Sequence, residues 1–351
     1  MRYTYNNENI ELVEKPSMEW NKNTPKETLQ YTLGGLLYMP ATNVKIADEI
    51  INKRYSYLKS LVLCLEDSIG DAMVKEAEKC VKKILGKLWK AINENKLTIN
   101  ELPLIFIRVR EHGQMTRIVK NCKDTIEMIT GFILPKFSKV NAAKYIDEFQ
   151  TVSSKVNFNM YVMPIIESKD VMYKQLRMEN LLYIDEAIKC IAQNVLGVRV
   201  GGTDFCNIYG LRRSINTTIW DIKVVADCLA DIINVFERSY IVSGPVWEFF
   251  DSHTSTQWAT GLKKELFYDR LNGFIGKTAI HPSQLPIIQE SLIVPYYNYK
   301  DAINILGASS EIGVKKGFGN NKMNEVKTHT NWAKKIVCLS NVYGVKMEVE
   351  E

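Results

Sequence analysis

Eight short apolar runs that end in polar or charged residues recur along the chain. They are largely unbroken and lack a clear apolar–polar alternation, which is typical of strands buried on both faces of a parallel sheet. The runs are LGGLLYMP from Leu33, LVLCLED from Leu61, LPLIFIRVR from Leu102, GFILPK from Gly131, YVMPIIE from Tyr161, VLGVRVGGTD from Val195, SYIVSGP from Ser239 and GFIGKTAIHP from Gly273. The pattern therefore predicts eight buried parallel strands.

Segments with helical periodicity lie between these runs. In the clearest one, Asp71–Asn93, apolar residues recur at three- and four-residue spacing, which predicts an amphipathic helix. Similar stripes cover Val44–Leu58, Met115–Ile129, Val171–Ile191, Thr218–Phe236 and Gln257–Leu271. Strands that alternate with helices in this way predict an α/β fold, a (β/α)₈ TIM barrel, rather than an open doubly wound sheet. No GxGxxG motif follows the first strand, which argues against a dinucleotide-binding fold.

A barrel of this kind occupies about 250 residues as one domain. We therefore predict a barrel domain over residues 31–290, a polar N-terminal extension over residues 1–30 and a C-terminal segment over residues 291–351. In the last segment, helical stretches near Tyr299–Leu306 and His329–Val342 flank a loop, GFGNNKM. Such a segment could act as a lid or as an oligomerisation arm.

Charged side chains stand at the ends of most predicted strands. The active site of a barrel lies at the C-terminal ends of its strands, so these are the residues with candidate chemistry. They are Glu66, Asp67, Arg108, Arg110, Lys136, Glu167, Asp204 and His281. Carboxylates that converge there repel one another unless a cation lies among them, and oxygen ligands without clustered His or Cys favour Mg²⁺.

Glu167 and Asp204 end adjacent strands and are the predicted metal ligands. Two carboxylates leave most of an octahedral shell open for water and substrate, which suits catalysis. The alternative is structural, with Glu167 preceding a helix cap at Ser168 and Asp204 capping a turn after Gly201. That alternative does not account for charged groups at nearly every strand end.

Three further residues have candidate roles. Arg108 directly follows a buried strand, and its guanidinium could bind a carboxylate or an oxyanion with two hydrogen bonds. Lys136 could pair with the acidic residues, which we favour, or form a Schiff base as in metal-independent aldolases. His281 precedes Pro282 and has no partner in the sequence pattern, so we expect it to anchor a loop.

Composition narrows the class of protein. Hydrophobic residues make up 46% and charged residues 24% of the chain, which is ordinary for a globular protein. The net charge of +5 is weak, and without a run of basic residues nucleic acid is an unexpected partner. The seven scattered cysteines form no CxxC pair, and no apolar stretch approaches the roughly 18 residues of a membrane span. The N-terminus lacks a signal-peptide core, so we expect a cytoplasmic protein without membrane partners.

The order of motifs resembles the HpcH/HpaI aldolase and citrate lyase β-subunit family. The motifs are LLYMPA, LCLEDSIGD, IFIRVR, GFILPK, MPIIES, GGTDFCNIYGLRR and GKTAIHPSQ, and the match runs in register from about Leu33 to Gln289. The chain looks closest to the C–C bond lyase branch that often accompanies tellurite-resistance and stress gene clusters.

The resemblance implies a TIM barrel with Mg²⁺, or Mn²⁺ as the alternative ion, held by Glu167 and Asp204. It places the family arginine on Arg108, the family lysine on Lys136 and the acidic pair on Glu66 and Asp67, expected to orient the metal ligands or bind metal-bound water. It also implies a 2-oxo acid bound to the metal. We expect a homo-oligomer, a trimer or a hexamer.

Two departures from the family pattern stand out. Family members commonly have Asn where this chain has Arg110. The lid of citryl- and malyl-coenzyme A lyase relatives carries an Asp after a Gly-x-Met-Ile core, whereas the corresponding stretch here, NNKMNEVK, offers Glu325. We therefore predict Glu325 as the lid acid–base group, the alternative being an exposed surface glutamate. Whether the acyl carrier is coenzyme A, an acyl carrier protein or absent stays open.

The resulting hypothesis is an Mg²⁺-dependent carbon–carbon lyase of aldol or Claisen type, which acts on a β-hydroxy acid or its thioester and gives a 2-oxo acid. One alternative is a barrel that acts as a metabolite sensor or assembly subunit of a stress-response complex. Another is a Schiff-base aldolase acting through Lys136.

Overall fold

A computed structural model describes residues 1–5, 11–251, 256–309 and 312–347. The chain forms two compact units. One contains Asn21–Ile288, and the other combines Met1–Trp20 with Gln289–Glu351. Within the described residues, no helix is both long and apolar enough to cross a membrane.

The larger unit contains the barrel. Its strands are β1 Gly35–Pro40, β2 Ser60–Cys64, β3 Leu104–Arg108, β4 Gly131–Leu134, β5 Tyr161–Ile166, β6 Val198–Val200, β7 Val242–Ser243 and β8 Lys277–Ala279. They form one eight-stranded parallel sheet in the order β7-β6-β5-β4-β3-β2-β1-β8. A parallel bridge between Gly244 and Lys277 joins the two ends of this order. All eight predicted strands are present, and the predicted (β/α)₈ fold is confirmed.

Helices follow the strands along the chain. In the larger unit they are Lys26–Leu29, Ile46–Ile51, Val74–Asn93, Gln114–Asn121, Ala142–Ser153, Lys169–Met172, Lys174–Lys189, Gly202–Ile208, Lys223–Phe236, Gln257–Leu271 and Gln284–Glu290, the last of which extends into the next segment. The helix Gln257–Leu271 has the bounds that its apolar stripe predicted. The predicted stretch Val171–Ile191 is divided at Tyr173 into two helices.

The helix Ala142–Ser153 was not predicted. Its buried side includes Tyr145 and Glu148 as well as apolar residues, so its hydrophobic period is interrupted. Glu148 is buried because its carboxylate accepts hydrogen bonds from the backbone N–H groups of Gly113, at 2.7 Å, and Thr116, at 2.8 Å. The carboxylate thereby satisfies free donors at the start of the helix Gln114–Asn121.

The side chains along each strand alternate between two buried environments. In β6, Val198 and Val200 belong to the apolar core, whereas Arg199 between them lines a cavity. In β3, Ile105 and Ile107 belong to the same core, and Arg108 lines the cavity. Side chains alternate between the faces of a strand, so one set faces the helices and the other faces the barrel interior.

A buried charge cluster lies where β8 meets the helix Gln257–Leu271. Lys277 Nζ is 2.8 Å from Glu265 Oε1 and 2.6 Å from Asp269 Oδ2, and Arg213 Nη1 is 2.6 Å from Glu265 Oε2. All four side chains are buried. A β-carbon on Gly244 would lie 2.6 Å from Asp269 Oδ2, so only glycine fits beside this cluster. Two cations and two carboxylates thus balance each other beside the bridge that joins the sheet ends.

The smaller unit has its own sheet and helices. Leu12–Glu14 pairs antiparallel and Val294–Pro295 pairs parallel with Val345–Lys346. The helices Tyr296–Leu306 and Thr330–Tyr343 pack through Ala302, Ile305 and Ala333, and the hairpin Val314–Lys316 with Met323–Glu325 lies between them in sequence. The ring of Tyr3 stacks on that of Tyr343 at 4.6 Å, so part of the N-terminal segment predicted as a polar extension is packed within this unit.

We predict that Lys277→Met lowers the free energy of unfolding of the barrel unit by about 3 to 5 kcal/mol, because it leaves Glu265 and Asp269 buried without their shared cation. Urea unfolding followed by circular dichroism measures this change. The matched control is Lys264→Met, since Lys264 lies 3.8 Å from Asp221 in a half-exposed pair and should cost at most about 1 kcal/mol. Equal effects of the two substitutions would contradict the structural role of the cluster.

Candidate active site

A cavity of about 410 Å³ opens at the C-terminal ends of the barrel strands. Its volume is in the range of pockets that bind small molecules. The charged side chains that line it are Asp67, Arg108, Glu167, Arg199, Asp204 and Glu248, and the other lining residues include Tyr38, Cys64, Ile165, Gly201 and Thr278. Of the predicted site residues, Asp67, Arg108, Glu167 and Asp204 therefore line one cavity.

Arg108, the last residue of β3, is the centre of a charge network. Its Nη2 lies 2.8 Å from Glu66 Oε2, 3.0 Å from Asp67 Oδ2 and 3.0 Å from Glu167 Oε1. Burial by itself lowers the pKa of Arg108, but the Glu167 and Glu66 carboxylates outweigh that effect and raise it. The guanidinium therefore remains charged and holds three of the predicted carboxylates together.

Lys136 contributes its backbone and its side chain to this network. It follows β4 with φ of 48°, a left-handed conformation that is unusual outside glycine. Its backbone N–H donates to Glu167 Oε1 at 2.8 Å, and its Nζ contacts Glu66 Oε1 and lies 3.2 Å from Asp67 Oδ1. Burial lowers the pKa of Lys136, but the bond to Glu66 outweighs this and raises it. A charged, paired ammonium is not a nucleophile, which argues against a Schiff base here.

Glu167 and Asp204 approach each other beside Gly201. A β-carbon on Gly201 would lie 2.4 Å from Glu167 Oε2 and 3.1 Å from Asp204 Oδ2, so only glycine allows this approach. Burial, together with the nearby Asp204, raises the pKa of Glu167 to about 7 despite the opposing effect of Arg108. Burial and Asp67 also raise the pKa of Asp204. Burial is the largest cause of both shifts, because it disfavours two ionised carboxylates side by side.

The donors fit one divalent cation. When all are ionised, Glu66, Asp67, Glu167 and Asp204 carry four negative charges, of which Arg108 and Lys136 offset two. Oε1 of Glu167 accepts the bonds from Arg108 and Lys136, which leaves Oε2 on the side of Asp204. Among the described residues, no three His, Cys, Asp or Glu side chains are arranged to hold a metal. An ion at this place would therefore have two protein carboxylates and open positions, which suits Mg²⁺.

Asp204 is not at a strand end. The sequence pattern placed it at the end of the sixth strand, but β6 ends at Val200 and Asp204 lies in the first turn of the helix Gly202–Ile208. A carboxylate in the first turn of a helix is favoured by the free N–H groups there. Gly201 and Gly202 connect strand and helix, and both positions are closely packed, since a β-carbon would lie 2.4 Å from Glu167 Oε2 or 2.8 Å from Pro245 Cβ.

Arg110 and His281 lie in the loops around the site. Arg110 donates to the backbone carbonyls of Leu65, at 3.2 Å, and Glu66, at 2.9 Å, so it supports the loop after β2. His281 Nδ1 is 2.8 Å from Ser283 Oγ, and its ring stacks on Phe250 at 4.5 Å. These contacts are those of loop anchors.

Glu325 belongs to the smaller unit. Its backbone N–H donates to His329 Nδ1 at 3.0 Å, and its Oε2 accepts from Thr328 Oγ1 at 2.8 Å. The carboxylate therefore closes a turn between the strand Met323–Glu325 and the helix Thr330–Tyr343. Its role as an acid–base group stays a prediction.

The sequence pattern did not predict several residues that line the cavity. Arg199 had a signal, because an arginine interrupts the otherwise apolar run from Val195. Tyr38, Thr278 and Glu248 had none, since their proximity depends on strands and loops that are distant in sequence.

Comparisons with known proteins place this chain in a family. The model of the family described as C–C bond lyase of the TIM-barrel fold matches residues 27–345. No curated protein matches the chain. Similar solved structures include CitE from Mycobacterium tuberculosis in complex with magnesium, acetoacetate and coenzyme A, at 17% identity and a TM-score of 0.58, with 89% of this chain and 99% of that chain covered.

Two more structures share the fold. The citrate lyase β subunit from M. tuberculosis with oxaloacetate and magnesium has 17% identity and a TM-score of 0.50, and the match covers 75% of this chain and 98% of that chain. A lead(II) complex of Haloferax volcanii malate synthase has 13% identity and a TM-score of 0.56, with 75% and 73% covered. By its family model, this chain belongs to the C–C bond lyase family of the TIM-barrel fold, and the prediction of a carbon–carbon lyase is confirmed.

Proposed function

We propose that this chain is an Mg²⁺-dependent lyase that cleaves a β-hydroxy acid or its thioester into a 2-oxo acid and an enolate-derived fragment, or catalyses the reverse condensation. The observation that carries the proposal is the approach of Glu167 and Asp204 at Gly201, within the cavity that Arg108 also lines. Solved relatives support it, because CitE structures hold magnesium together with acetoacetate and coenzyme A, or with oxaloacetate.

The cleavage requires a base, a Lewis acid and a fixed positive charge. A base removes the hydroxyl proton, the C–O bond becomes a carbonyl, and the electron pair of the broken C–C bond passes to the enolate fragment. Glu167 and Asp204 would hold Mg²⁺, which, when bound, supplies a Lewis acid for the oxygen that changes charge. Arg108 adds a fixed positive charge on the same side of the cavity.

Glu66, Asp67 and Lys136 act through Arg108 and Glu167. Their mutual contacts fix the guanidinium at the cavity wall, so little reorganisation is needed when the substrate oxygen gains charge. One nitrogen of Arg108 meets all three carboxylates at 2.8 to 3.0 Å, so the position of that nitrogen determines the arrangement.

The proposed reaction is tested by incubating the protein with citrate, citryl-coenzyme A, malyl-coenzyme A and 4-hydroxy-2-oxo acids in the presence of Mg²⁺. Released 2-oxo acid is measured as its phenylhydrazone. We expect release from at least one substrate and its loss with EDTA. Release that is indifferent to EDTA would contradict metal dependence, and folded protein that cleaves none of these classes would contradict the proposed reaction.

We predict that the double variant Glu167→Gln with Asp204→Asn loses Mg²⁺ binding, because the amides keep the size of the side chains but remove both charges. Isothermal titration calorimetry measures the binding. The matched control is Glu179→Gln, since Glu179 pairs with Lys139 on the exposed surface at 2.9 Å and should not affect affinity. Unchanged Mg²⁺ affinity in the double variant would place the ion elsewhere.

We predict that Arg108→Lys lowers kcat/KM by about 100-fold or more, because a compact ammonium on a flexible stem does not keep the fixed position that the rigid guanidinium gives the nitrogen between the three carboxylates. Steady-state kinetics on the substrate found above measures it. Thermal unfolding of the variant separates a loss of catalysis from a loss of folding. Full activity in the folded variant would remove Arg108 from the mechanism.

We also propose Glu325 as the acid–base group, on the basis of its place in the lid motif of the resembling lyases. Glu325→Gln should leave Mg²⁺ binding intact and lower kcat, because only proton transfer is removed. Calorimetry and steady-state kinetics measure the two effects. The control is Glu19→Gln, whose carboxylate is exposed and 3.5 Å from Arg2 within the same unit. An unchanged kcat would leave Glu325 with only its turn-closing contacts.

A further inference from the structure

The cavity contains a second arginine that the charge network of Arg108 does not include. Arg199 lies in the middle of β6, lines the cavity and is only 1% exposed. Its Nη2 donates to Thr278 Oγ1 at 2.6 Å, and its guanidinium lies 5.6 Å from the centre of the Tyr38 ring. Both contacts come from neutral groups.

Arg199 differs from the other buried cations in its charge balance. Over the described part of the chain, no Asp or Glu oxygen lies within the 4.0 Å of an ion pair, and its Nε has no hydrogen-bond partner. Arg108 has three carboxylates and Lys277 has two. A buried guanidinium cannot lose its charge at neutral pH. No carboxylate of the described residues therefore offsets the free-energy cost of removing this charge from water.

The contacts of Arg199 keep its guanidinium in the cavity. The Thr278 hydroxyl holds one nitrogen, and the Tyr38 ring offers a face that attracts a cation. A planar guanidinium held in this way binds a carboxylate through two hydrogen bonds. A carboxylate of a bound ligand has the charge and the shape that this guanidinium would bind.

The position of Arg199 relative to the carboxylate pair limits the size of the ligand. Arg199 precedes Gly201 by two residues, and Gly201 is where Glu167 and Asp204 approach each other. The α-carbons of residues two apart in a chain are at most about 7 Å apart, and Arg199, Glu167 and Asp204 all line the same cavity. A short linear acid can therefore extend from the carboxylate pair toward Arg199.

We propose that Arg199 binds a second carboxylate of the substrate, so that the cavity takes a dicarboxylic oxo or hydroxy acid rather than a monocarboxylic one. The inference rests on the proposed function for the position of the other end of the substrate. It adds the substrate class, which neither the family model nor the motif pattern specifies.

Matched pairs of acids test this inference by calorimetry in the presence of Mg²⁺. The pairs are malate with 2-hydroxybutanoate, and 2-oxoglutarate with 2-oxopentanoate, each of which differs only in the distal carboxylate. We expect the wild-type protein to bind at least one diacid tenfold or more tightly than its partner. In Arg199→Met that preference should fall to within about threefold, whereas Arg199→Lys should keep part of it, since a point charge remains.

Thermal unfolding distinguishes binding from a structural role. Arg199→Met removes an uncompensated buried charge, so the ligand-free variant should unfold at or above the wild-type temperature. A large drop in that temperature, with the diacid preference retained in Arg199→Lys and Arg199→Met alike, would assign Arg199 to the fold and overturn the inference.

Binding of the four acids to the wild-type protein also tests the inference. Equal binding of diacid and monoacid in both pairs would overturn the role of Arg199 and leave the proposed function standing. Absence of Mg²⁺-dependent binding for all four acids would also overturn the inference, while the cleavage assay with and without EDTA decides the proposed function separately.

Discussion

The balance of charge at the C-terminal ends of the strands is the constraint on which the site depends. Parallel strands direct these ends to one edge, so carboxylates that follow different strands come together. Glu66, Asp67 and Glu167 are tolerated there because one nitrogen of Arg108 meets all three. Lys136 adds the second positive charge. The remaining negative charge, concentrated at Glu167 and Asp204, is what gives the site its affinity for a divalent cation in our proposal.

Features of the fold and the site that depend on local sequence could be predicted, whereas those that depend on residues distant in sequence could not. The eight strands are visible in sequence because burial on both faces requires continuous apolar runs, and each run ends where the polar site begins. The helix Ala142–Ser153 was missed because Glu148 lies on its buried side and serves another helix. The start of the helix that carries Asp204 was not predicted, because the close contacts of Gly201 with Glu167 and of Gly202 with Pro245 come from distant parts of the chain. Contacts between distant loops, such as those of Glu248, leave no local pattern.

The backbone contributes to the arrangement as much as the side chains. Lys136 has a left-handed conformation without being glycine, and this conformation coincides with a backbone N–H directed at Glu167 and an ammonium directed at Glu66. Gly201 lacks a β-carbon at the point where the two carboxylates meet. Unfavourable or restrictive backbone positions tend to cluster at functional sites, where the surrounding structure maintains them. Here Gly201 lines the cavity, and Lys136 binds Glu167, which also lines it.

Two kinds of buried charge in one barrel lead to different conclusions. Lys277 and Arg213 face Glu265 and Asp269, so that cluster is complete within the chain and needs nothing from outside. The cavity differs, because over the described residues neither Asp204 nor Arg199 has an oppositely charged side chain within 4.0 Å, and Glu167 shares Arg108 with two other carboxylates. In our proposal, a ligand that binds the metal at one end and carries a free carboxylate at the other pairs with both groups, so the proposed substrate class rests on the charges of the cavity and not on the fold.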